Sequence, residues 1–188
     1  MLKFKNEQEA ISYIYKIPIL ELKKAAEFGI ENNGVFLYKD KAYKASFSSK
    51  EFKAVKRLID KDFKNVVNIY SATECKILSK YSNKYWKIFL IEEERLYRNK
   101  HKYCFDDLDL ISLNKDIKNR LPYFVNVING IIELSSAGIV HNDIHSYNIM
   151  LDKNNIPKII DFGQVTLRKE YSNINMNILL QKKGSINV

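Results

Sequence analysis

The residues best suited to chemistry stand close together: the run His141-Asn142-Asp143-Ile144-His145-Ser146-Tyr147-Asn148 and, beyond two short apolar stretches, Asp161-Phe162-Gly163. Carboxylates and a carboxamide present hard oxygen atoms, the donors that divalent cations take. A carboxylate held in a loop can also accept a proton from a hydroxyl. Taken singly, each of these residues is an ordinary turn former or a structural histidine. Their joint spacing, His141-x-Asp143-x-x-x-x-Asn148 with Asp161 following, is what asks for a functional reading.

The flanking sequence supplies elements that position them. Ile117, Leu121, Phe124, Val125, Ile128, Ile131 and Ile132 recur at helical spacing between Asp116 and Ser136, which predicts a buried helix, and Gly138 stands where a helix end favours a left-handed residue. Ile149 to Leu151 and Lys158 to Ile160 flank Asp152-Lys153-Asn154-Asn155, a hairpin signal whose second strand runs into Asp161. Upstream, Val35 to Tyr38 and Ala42 to Phe47 form a second hairpin across Lys39-Asp40-Lys41. Ser48 or Ser49 can cap a helix from Glu51 to about Lys61, with Phe52, Val55 and Leu58 on one face. Strands are expected around Ala72 to Leu78 and Trp86 to Ile91. Residues 6–16 read as helix and Pro18 interrupts it. Ile19 to Glu27 has helical propensity but a strand's position, which we favour. Tyr171, Ile174, Ile178 and Leu179 suggest a closing helix over 171–181. These elements make an α+β protein.

At 188 residues, with 46% apolar and 12% aromatic side chains, the chain suits a single folded domain over 1–188 rather than a disordered segment. No apolar run reaches the roughly 18 residues that span a bilayer, so a cytoplasmic protein without membrane contact is expected. Cys75 and Cys104 are isolated, which argues against a disulfide or a zinc site. The formal charge of +9 invites a polyanion partner, but the lysines are scattered without a basic stripe, and nucleic acid is not expected.

His141-x-Asp143-x-x-x-x-Asn148 followed by Asp161-Phe162-Gly163 resembles the catalytic loop and metal-binding loop of the protein kinase-like superfamily. Six specified residues in register arise by chance on the order of once in 10⁵ chains of this length. The resemblance implies ATP and Mg²⁺ as cofactors. It makes Asn148 and Asp161 the metal ligands, Asp143 the carboxylate that orients and deprotonates the attacking hydroxyl, and His141 the support of the loop. It also implies a bilobal fold, with a small β-rich N-lobe over about 19–94 and a reduced helical C-lobe over 95–188.

The N-terminal half matches by single residues. Gly29-Ile-Glu-Asn-Asn-Gly34-Val-Phe36 resembles the glycine-rich loop over the phosphates, with Glu31 in place of the second glycine. Ala42-Tyr43-Lys44 resembles the strand whose lysine reaches the α- and β-phosphates. Glu51 is the only acid early on the following helix. It stands about one helical turn before the family's position, which Val55 occupies, so register alone leaves its pairing with Lys44 open. By the same resemblance the base would be bound by main-chain groups of about Glu92 to Glu94, with Ala42 above it and Met150 beneath.

Two departures bear on the substrate. Gln164 to Val188 contains no A-P-E, so the resemblance implies a C-lobe whose peptide platform is missing or replaced, and leaves room for an activating protein partner. His145 stands where protein Ser/Thr kinases usually carry Lys, and resembles aminoglycoside and choline kinases there. The expectation is an atypical minimal protein Ser/Thr kinase acting on a protein substrate. The alternatives are a kinase of small-molecule hydroxyls and an ATP-binding pseudokinase serving as a regulatory module.

Overall fold

The computed structural model describes residues 1–25, 34–97 and 110–168, with the backbone alone for 110–120. Gly29, Glu31, Cys104 and the helix expected over 171–181 lie outside these. The order is β1 (Lys3–Phe4), α1 (Glu7–Tyr15), β2 (Lys23–Lys24), β3 (Val35–Tyr38), β4 (Lys41–Ser46), α2 (Ser49–Leu58), β5 (Ile69–Leu78), β6 (Tyr85–Glu94), α3 (Leu110–Ser136), β7 (Ile139–Val140), β8 (Ile149–Leu151), β9 (Pro157–Ile159) and β10 (Thr166–Leu167).

Six strands form one sheet in the order β1-β5-β6-β4-β3-β2, antiparallel except where β1 runs parallel to β5. Because side chains alternate across a strand, the sheet has two distinct faces. Tyr43, Ala45, Cys75, Ile77, Ile88 and Leu90 form the back, covered by Phe4 and by Ala10 and Ile11 of α1. Asn6 starts that helix by accepting the Glu9 N–H at 2.8 Å. The buried thiol of Cys75 is pushed up to about 11 by desolvation, as befits a packing residue. The front face carries Ala42, Lys44, Ile91 and Glu93 and looks toward α2 and the cleft.

Ile19 to Ala25, the described part of the strand expected over Ile19 to Glu27, departs from it. Ile19–Glu21 closes a single 3₁₀ turn after Pro18, and among these described residues only Lys23–Lys24 pairs with β3, both lysines exposed at the sheet edge. Edge lysines keep such a row of unpaired groups from templating another strand.

The connection from α2 to β5 seats the sheet on the second half of the molecule. Val67 N–H donates to Ile159 O at 3.1 Å and Ile159 N–H to Asn65 O at 2.9 Å. The Glu133 carboxylate on α3 accepts the Lys64 and Asn65 N–H groups at 3.0 and 2.9 Å. At the end of α2, Arg57 Nη1 donates to Gly138 O and Arg168 O at 3.0 and 2.9 Å. Gly138 itself adopts φ +70°, the left-handed stop expected for α3.

The buried face of α3 is not the one its periodicity suggested. Leu121, Val125, Ile128, Ile131 and Ile132 are exposed among the described residues, whereas Val127 and Leu134 are buried and Gly130 lies against the connection. The reason is a close approach that the apolar count could not register: a Cβ on Gly130 would lie 2.7 Å from Asn65 O and 2.8 Å from Ile159 Cδ1. Gly130→Ala is therefore expected to destabilise the protein by roughly 1–2 kcal/mol, an overpacking cost of about 2–3 kcal/mol against backbone offset by a helix-propensity gain of about 1 kcal/mol. Thermal denaturation checks this, and an unchanged or raised Tm would contradict the close approach.

Candidate active site

Lys44 enters the cleft from the middle of β4. Its buried ammonium lies 2.7 Å from Glu51 Oε1 and 3.2 Å from Asp161 Oδ1. Burial by itself would lower its pKa, but the charges of Glu51, Asp161 and Glu93 outweigh that and raise it, so the lysine is firmly cationic.

The pairing that register left open is thus formed. Only Phe47 and Ser48 separate β4 from α2, and Ser48 caps the helix by accepting the Glu51 N–H at 3.1 Å. This short connection puts the first turn of α2, rather than the second, beside Lys44. Ser46 Oγ donates to Glu51 Oε2 at 2.6 Å and fixes the carboxylate from its other side. The helix terminus adds a favourable field for an acid in its first turn.

Below the sheet, His141 joins the two loops. Its Nε2 lies 2.9 Å from Ile160 O, and its Nδ1 lies 3.3 Å from the Asp143 N–H. A neutral ring protonated on Nε2 satisfies both, donating to the carbonyl and accepting from the amide. Desolvation lowers its pKa and favours that neutral form. The ring also meets Phe162 edge-on at 5.7 Å between centroids.

Asn148 is buried at the end of a 3₁₀ turn, and Ile160 N–H donates to its carbonyl at 3.0 Å. The β8–β9 pairing, Ile149 opposite Ile159, thereby carries Asn148 to the residue just before Asp161. Asn148 Nδ2 donates to Asp143 O at 2.9 Å and Asp143 Oδ2 at 3.2 Å, which steadies the loop carboxylate. Asp161 adopts φ +63° and Asn142 φ +65°, left-handed conformations that Asp and Asn tolerate best. Burial pushes the Asp161 pKa up, but Lys44 and the Gly163 N–H hold it below the usual carboxylate range.

His145 accepts the Tyr147 N–H on Nδ1 at 3.2 Å, and its Nε2 lies 3.0 Å from Asn148 Nδ2 and 3.6 Å from Asp143 Oδ1, the latter too far for a hydrogen bond. The positive φ of Gly34, +76°, opens β3 with a backbone that a Cβ would strain, and a Cβ there would also press on the Phe36 ring at 3.0 Å.

On the upper wall, Ala42 is buried on the Lys44 face. The side chain of Glu92 is on the opposite face, paired with Lys41 at 2.7 Å and accepting the Ser71 hydroxyl at 3.0 Å. The carboxyl that β6 sends into the cleft is that of Glu93, directly across from Ala42; the sequence reading included its main chain within Glu92 to Glu94 but gave its side chain no role. Strand alternation could have found it, since Glu93 shares a face with the buried Ile91. Met150 is half-buried opposite Lys158, whose Nζ lies 3.6 Å from Glu94 Oε2 beneath the end of β6.

Among the described residues no group of three His, Cys, Asp or Glu side chains converges into a metal cage. The carboxamide oxygen of Asn148 and the carboxylate of Asp161 are instead two hard donors on adjoining backbone. That set fits Mg²⁺, which usually takes one or two protein ligands and completes its shell with water and phosphate. Among the described residues no helix is long and apolar enough to cross a membrane.

The arrangement agrees with what the chain is similar to. The family model for protein tyrosine and serine/threonine kinases matches residues 38–183. A protein of Acanthamoeba polyphaga mimivirus, named as a serine/threonine-protein kinase, is 31% identical over 157 residues, covering 80% of this chain and 20% of that protein. The Dictyostelium discoideum protein samkA, likewise named, is 30% identical over 180 residues, covering 86% of this chain and 25% of that one. The dual serine/threonine and tyrosine protein kinase of Gallus gallus is 38% identical over 74 residues, or 39% of this chain and 7% of that protein. The chain spans a quarter or less of the length of these relatives. With the α+β sheet-and-helix architecture and the motifs in register, the chain belongs to the protein kinase family.

Proposed function

We propose that this chain transfers the γ-phosphoryl group of ATP to a serine or threonine hydroxyl of a protein, in the cytoplasm and with Mg²⁺. The observation that carries the reading is Lys44 held at once by Glu51 and Asp161, at 2.7 and 3.2 Å, which poises a cation over the loop that would hold the metal.

In this reading Lys44 binds the α- and β-phosphate oxygens, and the backbone opened by Gly34 covers them. Asn148 and Asp161 would hold Mg²⁺, which when bound neutralises the charge on the phosphate oxygens. Asp143, steadied by Asn148, orients the acceptor hydroxyl and takes its proton as the oxygen bonds to the γ-phosphorus and the bond to the bridging oxygen breaks, releasing ADP. Ala42 and Met150 flank the base, and the backbone after Glu93 meets its edge.

The paired Lys44 and Glu51 weigh against a pseudokinase. His145 beside Asp143 keeps a small-molecule hydroxyl as the second reading, since an imidazole is a weaker phosphate anchor than a lysine ammonium. Labelled ATP with Mg²⁺, offered to a generic basic protein and to an aminoglycoside, separates the two. Label on the protein or on the chain itself supports our reading, and label only on the aminoglycoside overturns it. ATP should also raise the Tm in a Mg²⁺-dependent way that Asp161→Ala abolishes, and absence of any shift in the wild type would remove the nucleotide site altogether.

A further inference from the structure

The front of the sheet presents three carboxyl groups to one lysine. Glu51 is satisfied by Lys44 and the Ser46 hydroxyl, and Asp161 by Lys44 and the Gly163 N–H. The Glu93 carboxyl accepts no hydrogen bond from another described residue, although it stands in the wall of the cleft. Its position is set by register. Directly paired with Ala42 on β4 and Ile69 on β5, it projects from the same face as Lys44 and Ile91. Directly opposed side chains have Cβ atoms about 4.5–5.5 Å apart, so its carboxyl lies beside the surface against which a base would rest.

We propose that Glu93 reads the base: its carboxylate accepts a hydrogen bond from the exocyclic amino group of adenine and disfavours guanine, which presents a carbonyl oxygen at that position. The inference rests on the nucleotide-binding reading above and adds the residue that discriminates. A half-buried carboxylate with no donor among the described residues can take one from the right ligand and faces an oxygen in the wrong one, which is the way polar sites achieve strong selectivity.

The surroundings make the selectivity sensitive to pH. Burial raises the Glu93 pKa to about 7, with Lys44 from β4 pulling it down and Glu51 from α2 and Asp161 after β9 pushing it up. The ionised form accepts from adenine, whereas the protonated form can donate to the guanine oxygen. Preference for ATP should therefore widen as pH rises through about 7 and narrow below it.

Titration of the full chain with MgATP and MgGTP at pH 8, followed by thermal shift, tests the proposal. The wild type is expected to prefer ATP by roughly tenfold or more. Glu93→Gln, whose amide can face either base, should bring the two affinities to within about threefold. In the wild type the preference should shrink between pH 8 and pH 6, a readout that stands even if substitution at Glu93 impairs folding. A Glu93→Gln protein that binds ATP with an unchanged preference, or a wild type whose preference ignores pH, overturns the role of Glu93 alone. A wild type that binds neither nucleotide overturns the reading of the cleft, and this proposal falls with it.

Discussion

Asp143→Asn lowers phosphoryl transfer by roughly 10²–10⁴-fold while leaving the Mg²⁺-dependent ATP shift in place. The expectation follows from where Asp143 stands. Its backbone is held independently of its carboxylate, the N–H by His141 Nδ1 and the carbonyl by Asn148 Nδ2, at 3.3 and 2.9 Å. An isosteric amide should therefore keep the loop intact and remove only the proton acceptor. Its side chain is 43% exposed, which also keeps the cost of the substitution to stability small. Initial rates with labelled ATP, beside a thermal-shift titration of both proteins, make the comparison. Equal loss of binding and of transfer would mean that Asp143 holds the nucleotide rather than the acceptor.

Lys44→Met has the larger structural consequence, because it leaves Glu51 and Asp161 facing one another without a cation. Glu51 is 5% exposed at its side chain, so its charge cannot be relieved by water. Removing one member of a buried ion pair costs about 3–5 kcal/mol, which for a chain of this size lowers Tm by roughly 6–20 °C. The sign with pH follows from linkage. In the wild type the Asp161 pKa is depressed, so its contribution is present above the unfolded carboxylate value of about 3.9 and is lost as pH falls through the folded value. In Lys44→Met the cation that holds the Asp161 carboxyl ionised is gone, so acidification costs the variant less than the wild type. The Tm gap should be widest near neutral pH and close below about pH 4–5. The double variant Lys44→Met with Glu51→Met should recover part of the loss, since it removes both members of the pair. A gap that does not vary with pH would show that Lys44 acts through packing rather than charge.

The His141, Asp143, Asn148 and Asp161 constellation was legible in the sequence because it occupies one local stretch. A 3₁₀ turn and a tight hairpin are specified by neighbouring residues, and β8–β9 pairing brings Asn148 to Asp161 without help from the rest of the chain. The β3–β4 hairpin, the cap of α2 at Ser48 and the stop at Gly138 are local for the same reason. Glu51 was harder. Spacing along the helix placed it a turn early, and only the short connection from β4 sets which turn of α2 faces Lys44. Glu92 and Glu93 are neighbours of identical chemistry, separated in role by strand alternation alone. The apolar residues of α3 announced a helix but not its buried face, because the closest contact is made by Gly130, a residue with no side chain to count.

Sequence by itself thus determined the family, the grouping of the loop residues and most of the elements, since motif spacing and turn residues act over a few positions of chain. Tertiary structure alone decided that one ammonium joins residues from β4, α2 and the loop after β9, and which carboxyl of β6 enters the cleft. Those outcomes depend on how three distant segments are seated on one another by the contacts of Asn65, Glu133 and Ile159. A buried charge pair forms only where packing has already excluded water and brought its partners within hydrogen-bonding distance, and no local pattern carries that information.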